Sequence, residues 1–420
     1  MKLTRLRGFQ DYLGADARAL SLVEETARAI AYRHALNEIR IPTLERIELY
    51  ERSSGETSDV VQKQLYRVPR AAESAAGEGD QALRPEGTPG VIRAYIDAGL
   101  DRSDPEQRFF YCGSMFRYER PQKGRLRQFN QFGVEIFGRA DAACDAELII
   151  MIDEFRRALG LDVRFEVNSL GDGQCRPAFR AALLEWGRAH YSELCDDCHQ
   201  RLDRNPLRLL DCKTDAELAR SAPRSLDYLC EPCRTHFGAV ERLIGIAGVP
   251  YEVNPRLVRG LDYYTRTTFE VTSSAVGSQS AIVAGGRYDG LVEALGGAAI
   301  PGTGFAIGVE RTALALAPER YGAGGAPDVA IIAIGASAVD HAIELARELR
   351  ASGRRVELLS PERGVKALLK RADKLCARYA LIIGEDEIRT GVVQVKDLQA
   401  GVQTAVPRAS VAAAVTSGAD

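Results

Sequence analysis

The chain has 420 residues, a hydrophobic fraction of 45%, a charged fraction of 27% and a formal net charge of −3. That is ordinary soluble composition, with room for two or three domains, and the bulk charge decides nothing about nucleic acid, so any RNA-binding surface must be local. No apolar run approaches the roughly 20 residues needed to span a bilayer, and MKLTRLRGFQDYLG lacks the apolar core of a signal peptide, which points to the cytoplasm. In that reducing compartment the nine cysteines are expected to bind metal or be buried rather than form disulfides.

Ser21 to Asn37 has helical spacing, with Leu22, Ala29, Ile30 and Leu36 as the expected buried stripe. Ile39 to Leu44 is expected to be a short strand interrupted by Pro42, which suits only an edge or first position. Ala71 to Asp80 is small and polar and is expected to be a loop. In ALRPEGTPG, Pro85 and Gly87 place Glu86 in a turn. Pro89 suits a first helical turn, with Thr88 as its N-cap.

Phe109 to Gly138 is expected to be a strand, a charged loop and a second strand, because both flanks are rich in Phe, Tyr, Val and Ile. In the second strand Phe129, Gln131, Gly133, Glu135 and Phe137 share one face, and Asn130, Phe132, Val134 and Ile136 the other. The first face is odd for a core. Gln131 and Glu135 need partners there, since burying them unpaired costs a few kcal/mol. A polar ligand would supply them, and Gly133 would leave it room. The loop adds Arg117, Arg120, Lys123, Arg125 and Arg127, five cations in eleven residues, which suits phosphate.

Cys144 to Leu159 is expected to be a helix and Val163 to Asn168 a strand. From about 171 to 250 the pattern becomes helical and broken, as in an inserted domain. It holds Cys195, Cys198, Cys230 and Cys233 as two C-x-x-C pairs, candidates for one structural zinc centre of four thiolates. The 31-residue gap is long for such a site. Cys212, His199 and His236 are further candidates, and buried free thiols are the alternative. Gly260 suggests a turn that lets backbone approach a ligand, before a strand over Thr265 to Thr272. The pairs Gly285–Gly286 and Gly296–Gly297 are turn signals. Phe305 to Val309 is expected to be a strand and Glu310 to Ala317 a helix, with Arg311 in its first turn.

Pro318 to Pro327 is a linker by composition. Beyond it strands over Val329 to Ile334, Val356 to Leu359 and Ala380 to Gly384 alternate with helices over Val339 to Ser352 and Gly364 to Ala377. That is a small α/β domain with a largely parallel sheet. Arg363, Lys366, Lys370, Lys374 and Arg378 recur at helical spacing, a solvated face that also suits an RNA backbone. The Ala-rich tail from Ser410 is expected to fray.

FRYER-PQKGR-RQFNQFGVEIFG resembles motif 2 of the class II aminoacyl-tRNA synthetases, in the form found in the histidyl enzymes. IPTLERIELYERSSGETSDVVQKQLYRV resembles motif 1, which forms a homodimer interface there, and GTGFAIGVERTALALAPER resembles motif 3. LVRGLDYYTRTTFE and RPEGT match the histidyl branch, and residues from Gly364 on resemble its anticodon-binding domain. The resemblance implies an α+β class II fold: an antiparallel sheet flanked by helices, with a helical insertion and a C-terminal α/β anticodon-binding domain. Residues 1–320 would be catalytic, with the insertion at about 171–250; 321–327 would link them to the anticodon-binding domain at 328–420. The implied activity is ATP-dependent ligation of L-histidine to its tRNA through histidyl adenylate, with Mg2+ accompanying ATP.

The same resemblance implies the roles. Arg117 and Arg259 would lie against the α-phosphate and carboxylate. Phe129 and Arg311 would sandwich adenine, with Arg125 on pyrophosphate and Glu119 on the nucleotide. Glu86, Gly87, Thr88 and Gln131 would hold the histidine backbone, and Glu135, Tyr263 and Tyr264 would line the imidazole side. The cysteine pairs are not general to the family, and Gly14 stands where it often has Pro. The rival readings are a non-catalytic regulatory subunit of ATP phosphoribosyltransferase and a tRNA-binding sensor. The C-terminal domain and the adenylate residues count against them.

Overall fold

Alternation along the Gln128–Phe137 strand sends its side chains into two environments. Phe132, Val134 and Ile136 are buried with Phe110, Ile149, Ile152 and Val283, beneath the helices Ala15–Arg33 and Ala142–Leu159. The opposite face carries a cavity. The computed structural model describes residues 3–54, 60–69, 80–259, 261, 263–321, 326–359 and 363–415, without the side chains of 60, 62, 278 and 279. By internal contacts the chain divides into two compact units, Met1–Tyr321 and Gly322–Asp420.

The first unit is built on an eight-stranded sheet. Its order is Asn37–Glu38, Gln107–Phe116, Gln128–Phe137, Gly302–Gly308, Ala281–Arg287, Thr265–Thr272, Arg164–Ser169 and Glu252–Val253. All neighbours are antiparallel except the outermost pair at each margin. This is the α+β architecture expected, with an antiparallel centre flanked by helices.

Several local expectations change. The first helix begins at Ala15 and ends at Arg33. Its buried stripe runs Ala19, Val23, Ala27, Ile30 and Ala31, while Ala29 faces solvent and Leu22 is half-buried. Ile39 to Thr43 form no strand: Pro42 separates the short strands Asn37–Glu38 and Leu44–Arg46. Gly285 and Gly286 lie inside the Ala281–Arg287 strand, where a Cβ on Gly285 would stand 2.4 Å from the Gly304 carbonyl oxygen. These glycines permit close strand packing instead of a turn. The loop expected over Ala71 to Asp80 lies, apart from Asp80, outside the described residues, as does Gly260.

Residues 171–250, expected to be an insertion, contain helices Arg176–Ala189, Asp196–Arg204 and Glu231–Ile246, joined by short 3-10 turns. The two C-x-x-C pairs do not meet, which corrects the expectation of one four-thiolate centre. Each opens a different helix, and the two helices pack on different neighbours. Asp196–Arg204 lies against Arg176–Ala189 and the turn Pro206–Leu209, whereas Glu231–Ile246 lies against Ala142–Leu159. Cys195 and Cys198 instead gather with Cys212 and Asp215, and Cys230 and Cys233 with Asp172 and Cys175. His199 contacts the Tyr191 carbonyl and His236 contacts Asp145, so neither joins a cluster.

The last contact belongs to a buried ionic network beneath the sheet. The Arg287 and Asp145 side chains are both 0% exposed and pair at 2.6 Å. Arg287 also donates to the carbonyls of Arg139 and Asp141 and to Asp289, and His236 Nε2 lies 2.8 Å from Asp145. Burial alone would raise the Asp145 pKa. The hydrogen bond from His236 and the Arg287 charge outweigh it and hold the carboxyl below its ordinary value.

The second unit has a five-stranded sheet ordered Val356–Leu359, Val329–Ala333, Tyr379–Ile383, Val392–Asp397 and Gln403–Pro407. The first three strands are parallel, and the last two add an antiparallel margin that the β/α alternation did not foretell. Val329, Ile331 and Ala333 enter one core, and Ala330 and Ile332 the other, so this interior strand is covered on both faces. The helix Val365–Lys374 buries Leu368 and Ala372 and exposes Lys366, Lys370 and Lys374. Val411 and Val415 are buried, so the tail does not fray at its start.

Asp145→Ala strands the Arg287 charge. It is expected to cost about 3–5 kcal/mol, visible as an earlier urea-unfolding transition. An unchanged midpoint contradicts this.

Candidate active site

Glu135 lines a cavity of about 300 Å³ on the face of the larger sheet opposite the helices Ala15–Arg33 and Ala142–Leu159. It is 1% exposed. Thr88 Oγ1 donates to Glu135 Oε1 at 2.6 Å, and the Tyr288 hydroxyl donates to Oε2. Burial pushes the Glu135 carboxyl up to about 8, against the lowering effect of those two hydrogen bonds. Cross-strand pairing explains how the sheet admits it. Glu135 stands beside Phe109 on one side and Gly304 on the other. A Cβ on Gly304 would lie 2.1 Å from Glu135 Oε2. The missing side chain there is the space the carboxylate uses.

Gly133 has a different purpose from the one expected. It pairs with Tyr111, whose ring occupies the gap: a Cβ on Gly133 or on Gly87 would each stand 2.2 Å from Tyr111 Cζ. Gly133 therefore makes room for a tyrosine of the protein, not for a ligand. Thr88 likewise is not a helix cap. It is the first residue of the helix Thr88–Asp97, Gly87 holds the N-cap position, and the Thr88 hydroxyl reaches across to Glu135.

A second acid, Glu86, is also buried. It accepts from Ser54 Oγ at 3.2 Å and from the Tyr263 hydroxyl at 3.0 Å. Burial raises its pKa, and Arg117 opposes that rise. Tyr263 and Tyr264 lie ring to ring at 4.7 Å. Gln131 faces the same cavity with a buried Oε1 that accepts no hydrogen bond from the protein. That atom is what a polar ligand would satisfy.

Arg117, Arg125, Arg259 and Arg311 line the cavity, two held by backbone carbonyls and two by acids. Arg117 Nε donates to the Pro85 carbonyl at 2.9 Å, and its guanidinium lies 5.4 Å from the Phe129 ring centroid. Arg311 donates to the carbonyls of Gly124 at 2.7 Å and Ala281 at 3.0 Å. Arg259 pairs with Glu270, and Arg125 with Glu119. Burial, then the nearby charges of Arg117 and Arg125, hold the Arg311 pKa below its ordinary value. Crowded, partly desolvated guanidiniums of this kind favour a polyanion. Of the five loop cations only Arg117 and Arg125 line the cavity. Arg120 and Lys123 face solvent, and Arg127 lies 4.1 Å over the Tyr118 ring.

Every expected histidine- and nucleotide-site residue except Gly87 lines this one cavity, and Gly87 touches it through Tyr111. Sequence reasoning missed Tyr111, Arg208, Tyr288 and Glu310, which line it too. Tyr288 follows the Gly285–Gly286 strand in GGRYDG, a signal obscured by reading those glycines as a turn. Glu310 accepts from the Asn130 backbone and side chain at 2.9–3.0 Å, and burial pushes it up to about 7.

A family model described as histidyl-tRNA synthetase matches residues 8–171 and 178–312, and one described as anticodon binding domain matches 328–417. The chain belongs to the histidyl-tRNA synthetase family. It is 45% identical over 408 residues to the histidine–tRNA ligase of Geobacter sulfurreducens, covering 96% of this chain and 97% of that one. It is 46% identical over 410 residues to the histidine–tRNA ligase of Solidesulfovibrio magneticus, covering 96% and 95%. The apo histidyl-tRNA synthetase structure from S. aureus superposes with a TM-score of 0.79 at 31% identity, covering 99% of this chain and all of that one.

Glu135 also sets a pH dependence. Its folded pKa is raised from 4.5 to about 8. The folded state therefore holds this proton more tightly than the unfolded state does. The stability it confers is complete below about 4.5 and is lost as pH climbs through about 8. Relative to wild type, Glu135→Gln should gain several degrees in melting temperature across that interval. A difference that stays constant with pH contradicts the raised pKa.

Proposed function

We propose that this protein ligates L-histidine to its tRNA in the cytoplasm, in two steps that share one cavity. A histidine carboxylate oxygen attacks the α-phosphorus of ATP. The bond from that phosphorus to the bridging oxygen breaks, and pyrophosphate leaves. A ribose hydroxyl at the tRNA terminus then attacks the histidyl carbonyl carbon, its proton is lost, and AMP departs. The observation that carries this reading is a buried carboxyl, Glu135, lining one cavity together with Arg117, Arg259 and Arg311.

The first step needs positioning and charge neutralisation more than a covalent nucleophile. Arg117 and Arg259 are assigned to the reacting carboxylate and α-phosphate. Arg311 and Phe129 take the adenine, and Arg125 and Glu119 the outer nucleotide. Backbone bonds at Arg117 and Arg311 fix their guanidiniums before substrate arrives, so little reorganisation is left for the reaction. Glu86 faces the histidine ammonium, helped by Thr88 and Gln131, beside Gly87.

Glu135, with Tyr264 and Tyr263 nearby, reads the imidazole. Burial raises the Glu135 carboxyl to about 8, and free imidazole titrates at about 6.5, so the two groups hold a proton with similar affinity. One proton then serves the pair, held on the carboxyl or passed to the ring as an ion pair. A side chain lacking a ring nitrogen would leave that buried carboxyl without its partner, a discrimination worth far more than a lost methylene.

Mg2+ is expected with the nucleotide, where it neutralises charge on the outer phosphates. Glu119 and Glu310 line the cavity and would offer the carboxylate oxygens such an ion prefers. The exposed Lys366, Lys370 and Lys374 are assigned to the tRNA backbone, and residues 41–68 to a homodimer contact. The regulatory-subunit reading is not favoured, because 328–417 match an anticodon-binding domain.

Pyrophosphate exchange with each amino acid in turn, followed by charging of bulk tRNA, tests the assignment. Histidine alone should support exchange, and Arg259→Ala should lower it about 10²–10³-fold. Tight tRNA binding without exchange would point instead to a sensor.

A further inference from the structure

Six of the nine cysteines fall into two clusters outside the reaction cavity, each completed by one aspartate. In the first, Cys195 is the N-cap of the helix Asp196–Arg204 and Cys198 lies three residues on. Cys212 and Asp215 approach them from beyond the turn Pro206–Leu209. In the second, Cys230 is the N-cap of Glu231–Ile246 and Cys233 lies three residues on. Asp172 and Cys175 approach from just after the strand Arg164–Ser169. The two constructions match: C-x-x-C opens a helix, and the other two ligands share the same spacing, C-x-x-D in one cluster and D-x-x-C in the other.

The distances separate metal binding from simple burial. Within each cluster the ligand atoms all lie within 4.8 Å of one another. Cys195 Sγ and Cys212 Sγ are 3.7 Å apart. A disulfide would hold them at about 2.05 Å. Two sulfurs on a tetrahedral zinc at about 2.3 Å each stand about 3.8 Å apart. Buried thiols alone can pack as small hydrophobes, whereas three thiols and a carboxylate converging on one point make the donor set of a zinc site. Asp215 is 8% exposed, and its Oδ2 accepts from Cys195 N at 3.1 Å. Asp172 Oδ1 lies 4.0 Å from Cys230 Sγ, while Arg266 approaches Oδ2 at 3.5 Å. The Cys230 amide donates to Cys175 Sγ at 3.0 Å, a bond that stabilises a thiolate.

We propose that the inserted domain holds two structural zinc ions, one on Cys195, Cys198, Cys212 and Asp215 and the other on Asp172, Cys175, Cys230 and Cys233. Four protein ligands close each site, so neither leaves a position for chemistry. The second ion joins the points where the insertion leaves and re-enters the main domain. The residue after Cys175 is Arg176, which donates to the Tyr264 carbonyl. The first ion anchors the turn that carries Arg208 to the cavity wall. Both ions would thus brace the insertion against the site from outside it.

Elemental analysis of the full-length protein, purified under reducing conditions without chelator from zinc-supplied cells, tests this without reference to activity. Two zinc ions per chain are expected. Cys195→Ser/Cys198→Ser and Cys230→Ser/Cys233→Ser should each retain one. Should either variant fail to fold, the wild type still decides: a mercurial thiol reagent should release two zinc ions into a chromogenic chelator, and cobalt substitution should give tetrahedral thiolate bands. No zinc in the wild type, or a single ion per chain whichever pair it follows, overturns the proposal.

Discussion

A carboxyl strung between two hydroxyls inside a sheet face governs this site. Glu135 accepts from Thr88 and Tyr288 and is buried at the wall of the cavity. Three separate stretches must arrive together for that to happen: the helix start at Thr88, the strand Gln128–Phe137 and the end of Ala281–Arg287. In the role proposed for Glu135, burial is what lets the group discriminate. An exposed acid would exchange one solvent partner for another at little cost, whereas a desolvated one depends on what enters the cavity.

The cations follow a related logic. Arg117 and Arg311 each spend donors on main-chain carbonyls, and Arg259 and Arg125 each pair with an acid. Those contacts hold like charges close together before any anion is present. The buried Asp145–Arg287–His236 network then links the sheet, the helix behind it and the re-entry helix of the insertion. Packing of the scaffold and placement of the site are therefore one problem: Arg287 ends the strand whose next residue is Tyr288.

Much of this was legible in the sequence where period-2 alternation ran long. The strand Thr265–Thr272 falls where the β-branched run placed it, and the two faces of Gln128–Phe137 separate as their alternation required. What could not be read depended on partners distant in sequence. Thr88 has the local look of a cap, and only the fold brings Glu135 to it, 47 residues on. Gly133 looked like space for a ligand until strand register set Tyr111 opposite. The cysteine pairs suggested one centre because spacing records neither helix direction nor the contributions of Cys175, Asp172 and Asp215, although Cys212 was among the further candidates. Arg208 was invisible for the same reason, since it reaches the cavity from the turn Pro206–Leu209, far along the chain from the strands that line it.

The account rests on Glu135 selecting the amino acid while the arginines hold the nucleotide. The most direct measurement is histidine-dependent pyrophosphate exchange by Glu135→Ala, set beside its affinity for ATP alone. Loss of exchange at all accessible histidine concentrations, with ATP affinity close to wild type, is the predicted result. Exchange that persists undiminished with histidine would contradict it.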